Sequence, residues 1–337
     1  MSKISIALCT YNGAKFLTAQ LESFLAQTRQ PDELIVCDDC SLDATAQIIR
    51  DFAERAPFSV SLYINKKNLG STKNFERAIA LCTGNLIFLS DQDDVWLPQK
   101  IARIEAEFDK NSQVGLVFSD AEIVDENLQT AHCNLWQFTF PEETRKNARE
   151  ENFFHILLRQ NVVTGATMAF RACYREIFMP IPDRIPNLIH DAWISLLIAN
   201  EAKVVFVEEQ LIKYRQHSGQ QLGIDYESAS KKSFLERKER YAEGIEFSRQ
   251  EVERLEQTKE MFAAYPHFEK KRNSVSFKDL IEEKREQIAH YDARVNLPLT
   301  KFARFLPVCR ETLTGRYHRF SKGFLSAGKD LLENWSS

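Results

Sequence analysis

The sequence predicts an α/β fold, a mostly parallel, doubly wound sheet followed by a largely helical C-terminal extension. Three observations carry this expectation. Short apolar runs alternate with segments of helical periodicity over the first 120 residues. Polar residues collect at the carboxyl ends of those runs, where such sheets bind their ligands. After Asp225 the apolar runs stop and a strongly charged helical sequence takes over. With 337 residues the chain is long enough for about two domains, and the boundary is expected between residues 1–224 and 225–337.

Each element has its own signal. ISIALCTY is a short apolar run, as a buried parallel strand requires. AKFLTAQLESFLAQ places Phe16, Leu17, Leu21, Phe24 and Leu25 at helical spacing. ELIVCDD reads as a second strand, and SLDATAQIIRDFAERA as a helix with Ser and Asp as candidate caps. VSLYIN is a third strand, and STKNFERAIALCTG a helix closed by Gly84. NLIFLSDQDD is a fourth strand running into acidic residues. The helix PQKIARIEAEFDKN has Pro98 at its entrance, and VGLVFSDAEIVD is a fifth strand. HILLRQNVVTGATMAFRACYREIF reads as a helix, a turn at Thr164–Gly165 and a strand. NLIHDAWISLLIANEA is a helix with His190 and Asp191 at its start, and KVVFVEEQLIKYRQHSGQQLG is a strand pair with a Gly-containing loop. Beyond it Phe234, Tyr241, Ile245, Val252, Leu255 and Phe262 form the apolar stripe of a solvated helix.

Composition excludes several classes. At 44% hydrophobic and 27% charged, the chain is neither disordered, collagenous nor a coiled-coil rod. No run approaches the roughly 18 apolar residues of a membrane span. The start MSKISIALCTYNG lacks a signal-peptide pattern. Seven scattered cysteines predict no disulfide framework and a reducing compartment, hence a cytoplasmic location. The first 224 residues are net acidic, which argues against nucleic acid as a partner. Residues 298–332 carry seven basic residues against only Glu311 and Asp330, interleaved with Phe, Leu and Tyr. That segment is expected either to lie on an anionic membrane surface or to pack as a helical subdomain with a basic face.

The strand ends carry the chemistry. Thr10, Tyr11 and Asn12 follow the first strand, Asp38 and Asp39 the second, and Asp91, Asp93 and Asp94 the fourth. The first turn, TYNGAKF, lacks the glycines of a dinucleotide-binding loop, and no G-x-x-x-x-G-K-[ST] loop occurs. DQDD offers hard oxygen ligands suited to Mg²⁺ or Mn²⁺, a cation shared with substrate phosphates. Asp38 and Asp39 serve either the ligand or the cap of the helix near Ser41–Asp43. Asp191 serves either as a reactive carboxylate or as a helix-start charge. Trp96 and Trp193 serve either a ligand face or the core. The Cys37–Cys40 pair has no partner pair at zinc-ribbon spacing.

Residues 3–224 resemble the family 2 glycosyltransferases with the GT-A fold. The segments that carry the likeness are TYNGAKFLTAQLESFLAQTRQPDELIVCDDCSLDAT, NKKNLGSTKNFERAIALCTGNLIFLSDQDDVWLPQK, TGATMAFR, HDAWISLLIA and YRQHSGQQLG. The last three are similar to a rhamnosyltransferase-like branch. The resemblance implies an inverting, metal-dependent transfer of a sugar from a UDP- or dTDP-sugar to a hydroxyl of a glycan or lipid-linked glycan in cell-surface polysaccharide assembly. It implies that Thr10, Tyr11 and Asn12 line the nucleotide pocket and that Asp39 accepts from the base. Asp93 and Asp94 are then metal ligands, with Asp91 at metal, ribose or sugar. Asp191 becomes the general base, His217 a metal or diphosphate contact, and Arg215 a phosphate partner. His190 stands where the family usually has Glu. Two other classes remain, a sugar nucleotidylyltransferase and a non-catalytic nucleotide-sugar-binding or membrane scaffold.

Overall fold

The computed structural model describes residues 2–150, 153–182, 189–218, 220, 237–264 and 277–332. The chain divides into two compact units, residues 1–184 with 188–224, and residues 225–337 with 185–187.

The first unit is built on one nine-stranded sheet. Its strands are β1 (Ile4–Thr10), β2 (Glu33–Asp38), β3 (Ser59–Ile64), β4 (Leu86–Ser90), β5 (Val95–Trp96), β6 (Val114–Val124), β7 (Thr130–Asn134), β8 (Met168–Arg171) and β9 (Lys203–Arg215). The order is β3-β2-β1-β4-β8-β6-β9-β5, with β7 also paired to β6. The β3-β2-β1-β4 half is parallel throughout. All seven residues of β1 and all five of β4 are buried. This is why both read as unbroken apolar runs: a strand covered by helices on both faces has no solvent side. β8 enters antiparallel to β4 and β6, and β6 pairs parallel with β9.

The helices are α1 (Leu17–Leu25), α2 (Thr45–Ala53), α3 (Ser71–Leu81), α4 (Lys100–Lys110), α5 (Trp136–Thr139), α6 (Glu142–Glu150), α7 (Phe153–Arg159), α8 (Arg175–Phe178) and α9 (His190–Glu201). α1 buries Leu17, Leu21 and Phe24. Phe16 lies ahead of it, with its ring 4.6 Å from that of His217. Asp43 accepts from the Thr45 N–H at 3.0 Å, but the N-cap of α2 is Ala44, which has no side-chain cap, so the expected Ser or Asp cap is not formed. α3 ends at Leu81 with Cys82 extended rather than at a left-handed glycine. Gly84 instead donates its N–H to Ser5 Oγ at 2.7 Å. The expected strand pair over residues 203–215 is one strand, β9, whose pairing with β6 shifts register at Ser119/Asp120. A bulge absorbs the break in alternation that made the sequence read as two strands. Trp96 and Trp193 are core residues, 2% and 0% exposed.

The second unit contains two long helices, α10 (Arg237–Ala264) and α11 (Phe277–Val295), then α12 (Phe305–Leu313), α13 (Arg316–Phe320) and α14 (Phe324–Leu332). Ile245, Leu255 and Phe262 of the expected stripe are buried, and Tyr241 stacks on Tyr291. Phe234 lies outside the described residues. Among the described residues no helix is long and apolar enough to cross a membrane.

Candidate active site

The carboxyl ends of β1, β2 and β4 open into a cavity of about 570 Å³. Its wall is completed by the segment before α3, the turn at Gly165 and the start of α9.

The β2 end supplies two carboxylates with separate tasks. Asp38 accepts from Thr10 Oγ1 at 2.8 Å and from the Ser41 N–H at 2.9 Å, so it ties the β1 and β2 loops together. Asp39 lines the cavity. It accepts from Asn65 Nδ2 at 2.6 Å, the Leu69 N–H at 2.8 Å and the Gly70 N–H at 2.9 Å. Gly70 holds φ at 78°, which a Cβ would strain, so a glycine keeps its N–H turned onto Asp39. Three donors leave a carboxylate room for one more acceptance.

The β1 and β4 loops are joined by a residue the sequence did not single out. Gln92, the second residue of DQDD, accepts from the Tyr11 N–H at 2.8 Å and donates to the Tyr11 carbonyl at 3.0 Å. A Cβ on Gly13 would sit 2.1 Å from Gln92 Oε1, so only glycine admits this clamp. Thr10 and Tyr11 both line the cavity, and Tyr11 is half-exposed at its mouth. Asn12 does not line it. Its N–H donates to Ser41 Oγ and its Oδ1 accepts from the Leu42 N–H, both at 2.8 Å.

The acidic loop is crowded with like charge. Asp91 and Asp93 line the cavity, and His217 Nε2 lies 2.9 Å from Asp93 Oδ2. Burial pushes the Asp91 carboxyl up to about 7, helped by Asp93 and Asp191 and opposed by Lys100. Burial also raises Asp94, again with Asp93 and Asp91. Asp94 stands outside the cavity lining. Its Oδ1 accepts from the Arg215 N–H at 3.1 Å, while its Oδ2 is buried without a partner among the described residues. Arg215 also lies outside the lining. Its Nε donates to the Asp93 carbonyl at 2.6 Å, Nη1 donates to the Glu126 carbonyl, and the guanidinium covers the Phe16 ring. Arg215 therefore braces the acidic loop from behind through Nε and Nη1.

Lys100 is a second residue the sequence hid. It is fully buried over the Trp96 ring, 3.7 Å from its centroid, and donates to the Ala166 carbonyl at 2.6 Å. Burial lowers its ammonium to about 7, with Asp94 and Asp91 working against that. At the start of an amphipathic helix a lysine reads as solvent-facing, and only the tertiary fold sets it under DQDD.

Asp191 stands in the first turn of α9 and lines the cavity. Its Oδ2 accepts from the Gly165 N–H at 2.9 Å, and its Oδ1 from the Ala192 N–H at 2.5 Å and Asn161 Nδ2 at 3.3 Å. Burial nevertheless raises it to about 6, since these donors offset only part of the desolvation. His190 beside it stacks on Phe75, with ring centroids 4.0 Å apart at 19°. Burial drops the imidazole to about 3, and neither ring nitrogen has a hydrogen-bond partner among the described residues.

The donor set fits a hard divalent cation. Asp93 and His217 meet at one point of the wall, and Asp91 is raised by burial and then by the neighbouring charge of Asp93 and Asp191, which a cation would offset. Among the described residues no three His, Cys, Asp or Glu side chains converge in ligand geometry. A cation held here would take the rest of its ligands from substrate oxygens and water, as Mg²⁺ sites commonly do.

Comparisons with known proteins agree with this architecture. The chain is similar to an uncharacterised glycosyltransferase of Nostoc sp., 27% identical over 254 residues and 74% of each chain. It is also similar to the Escherichia coli UDP-Glc:alpha-D-GlcNAc-diphosphoundecaprenol beta-1,3-glucosyltransferase WfgD, 28% identical over 37% of this chain and 47% of the relative. Among solved structures, TarS of S. aureus in complex with UDP-GlcNAc superposes with a TM-score of 0.54 at 15% identity, covering 99% of this chain and 89% of that one. The mannosyltransferase PcManGT of Pyrobaculum calidifontis, in complex with GDP-Man and Mn2+, gives 0.51 at 15% identity over 98% and 80%. The fold is therefore GT-A, and the protein is a glycosyltransferase. Residues 5–179, more than half the chain, match Glycosyl transferase family 2, the family to which this protein belongs.

Proposed function

We propose that this chain is an inverting, divalent-metal-dependent glycosyltransferase of the rhamnosyltransferase-like branch. It moves a hexosyl or deoxyhexosyl group from a UDP- or dTDP-sugar to a hydroxyl of a glycan or lipid-linked glycan. The observation that carries the reading is the placement of Asp39, Asp93 and Asp191 on one cavity wall. The remaining acceptance at Asp39 suits the N3–H of uracil or thymine, with Thr10 and Tyr11 beside it. Asp93 and His217 would hold Mn²⁺ or Mg²⁺. When bound there, the cation supplies charge neutralisation for the departing diphosphate.

Asp191 takes the acceptor proton. The acceptor oxygen bonds to the anomeric carbon as the bond from that carbon to the diphosphate oxygen breaks, its electrons leaving with the nucleoside diphosphate. One displacement inverts the carbon. A base raised to about 6 is mostly ionised at neutral pH yet still holds a proton during the step. His190, neutral and stacked, offers a donor and an acceptor to a sugar hydroxyl. The E. coli relative WfgD, named for a diphosphoundecaprenol-linked acceptor, supports a lipid-linked acceptor for this chain.

Melting curves with Mn²⁺ and each nucleoside diphosphate test the donor assignment. UDP or dTDP is expected to raise the melting temperature, and a rise with GDP alone overturns it. For His190→Phe, the loss of one neutral hydrogen bond predicts a KM for donor or acceptor raised about three- to tenfold, with kcat less affected. Unchanged KM values for both substrates would remove His190 from the sugar contact.

A further inference from the structure

In the second unit, residues 298–332 bury their carboxylates and expose many of their large apolar side chains. Its interior is held by ions. Arg294 Nε and Nη2 donate to Asp330 at 2.7 and 3.0 Å, and Tyr317 donates its hydroxyl to the same carboxylate at 2.8 Å. Fully buried His290 lies 2.9 Å from Glu311 Oε1 and 2.9 Å from Ser321 Oγ. The apolar core beside this network is small, comprising Leu297, Val308, Tyr317 and Ala327.

Six large apolar side chains of this segment are largely exposed. Phe302 is 97% exposed and Leu313 89%, and Leu306, Leu325, Leu332 and Phe324 each exceed 70%. On α12, Leu306, Arg310 and Leu313 recur at i, i+4, i+7, which is one helix face, while Val308 and Glu311 turn inward. On α14, Leu325, Lys329 and Leu332 repeat the pattern, with Ala327 and Asp330 inside. Exposed apolar area of this kind marks an interaction surface.

Charge says what that surface meets. The only carboxylates in residues 298–332, Glu311 and Asp330, are both buried in the internal network. Lys301, Arg310, Lys322 and Lys329 are exposed, so the exterior of the segment carries basic charge with no acid of its own. Phe and Leu interleaved with Lys and Arg suit the headgroup boundary of an anionic bilayer, where rings and branched chains enter the acyl region and ammonium groups meet lipid phosphate. A second copy of the same face would bring like charges together.

We propose that residues 298–332 form a membrane-docking surface for anionic lipid, with Phe302, Leu306, Leu313, Phe324 and Leu325 inserting and Lys301, Arg310, Lys322 and Lys329 facing the headgroups. This names the partner of the C-terminal unit and stands independently of the transfer chemistry. The full chain should float with vesicles of phosphatidylcholine and phosphatidylglycerol in equal parts and not with phosphatidylcholine alone, and added salt should weaken the binding. The triple variant Phe302→Ser, Leu313→Ser, Leu325→Ser should bind at least tenfold more weakly at an unchanged melting temperature, because all three side chains are solvent-exposed. Lys301→Gln and Lys329→Gln should each cost about fivefold. Equal binding to both vesicle types, or by wild type and the triple variant, overturns the proposal. So does a concentration-dependent dimer in sedimentation velocity that the triple variant abolishes, if wild type leaves the vesicles unbound. The melting shift with UDP reads the catalytic unit separately, so failure on vesicles does not count against sugar transfer.

Discussion

Asp191→Asn is expected to lower kcat for sugar transfer by roughly 100- to 10,000-fold, the usual contribution of a positioned general base. The side chain is held at both oxygens, so an amide of the same shape stays in place but cannot accept the proton. One of the donors now facing Asp191 would meet the amide NH₂, which costs about 1–3 kcal/mol and lowers the melting temperature somewhat. Nucleotide binding should survive, because Thr10 ends β1 and Asp39 directly follows β2, and their hydrogen bonds do not involve α9. The pH dependence gives an independent reading. The folded carboxyl titrates near 6, so kcat/KM of the wild type should rise with pH through about 6 and be lost below it as Asp191 protonates. Nearly normal single-turnover transfer by Asp191→Asn at saturating donor would remove it as the base.

The parallel half of the sheet was legible for a physical reason. β1, β2 and β4 are covered on both faces, so their sequences are continuous apolar runs, and their ends must turn polar where the covering stops. The polar ends Thr10, Asp39, Asp91 and Asp93 could be found this way. The antiparallel half was less legible, because β8 has four residues and its partners are distant in sequence. Contacts that cross between elements carry no local signal. Gln92 clamping the Tyr11 peptide, Lys100 buried beneath the acidic loop, and the Gly165 N–H on Asp191 are of this kind. Arg215 shows the opposite hazard. Its place in YRQH beside His217 suggested a phosphate contact, whereas the fold sets its Nε and Nη1 on the backbone carbonyls of Asp93 and Glu126. In the C-terminal unit the basic, aromatic composition was visible, but the inward turn of both carboxylates was not.

Removing the divalent cation is expected to abolish transfer. A nucleoside diphosphate entering this cavity approaches Asp91 and Asp93, and the nearest built-in cations are compromised: Arg215 is committed to carbonyls and Lys100 is buried with its ammonium lowered to about 7. Charge stabilisation by a metal ion is worth several kcal/mol, so EDTA should reduce turnover by about a thousandfold or more. Mn²⁺ or Mg²⁺ should restore it in the wild type but not in Asp93→Ala. Stability should report the same site. The folded Asp91 carboxyl titrates near 7, far above an unfolded value of about 3.9, so the native state binds the extra proton. Without metal, this group's contribution to stability is greatest below about pH 4 and falls as pH rises towards about 7. A cation would offset the buried negative charge that a proton neutralises at low pH, and the two compete. Mn²⁺ should therefore raise the melting temperature more at about pH 8 than at about pH 5, with most of that difference lost in Asp93→Ala. Full turnover in EDTA by protein free of bound metal would refute metal dependence, and an equal Mn²⁺ shift at both pH values would separate the cation from the acidic loop.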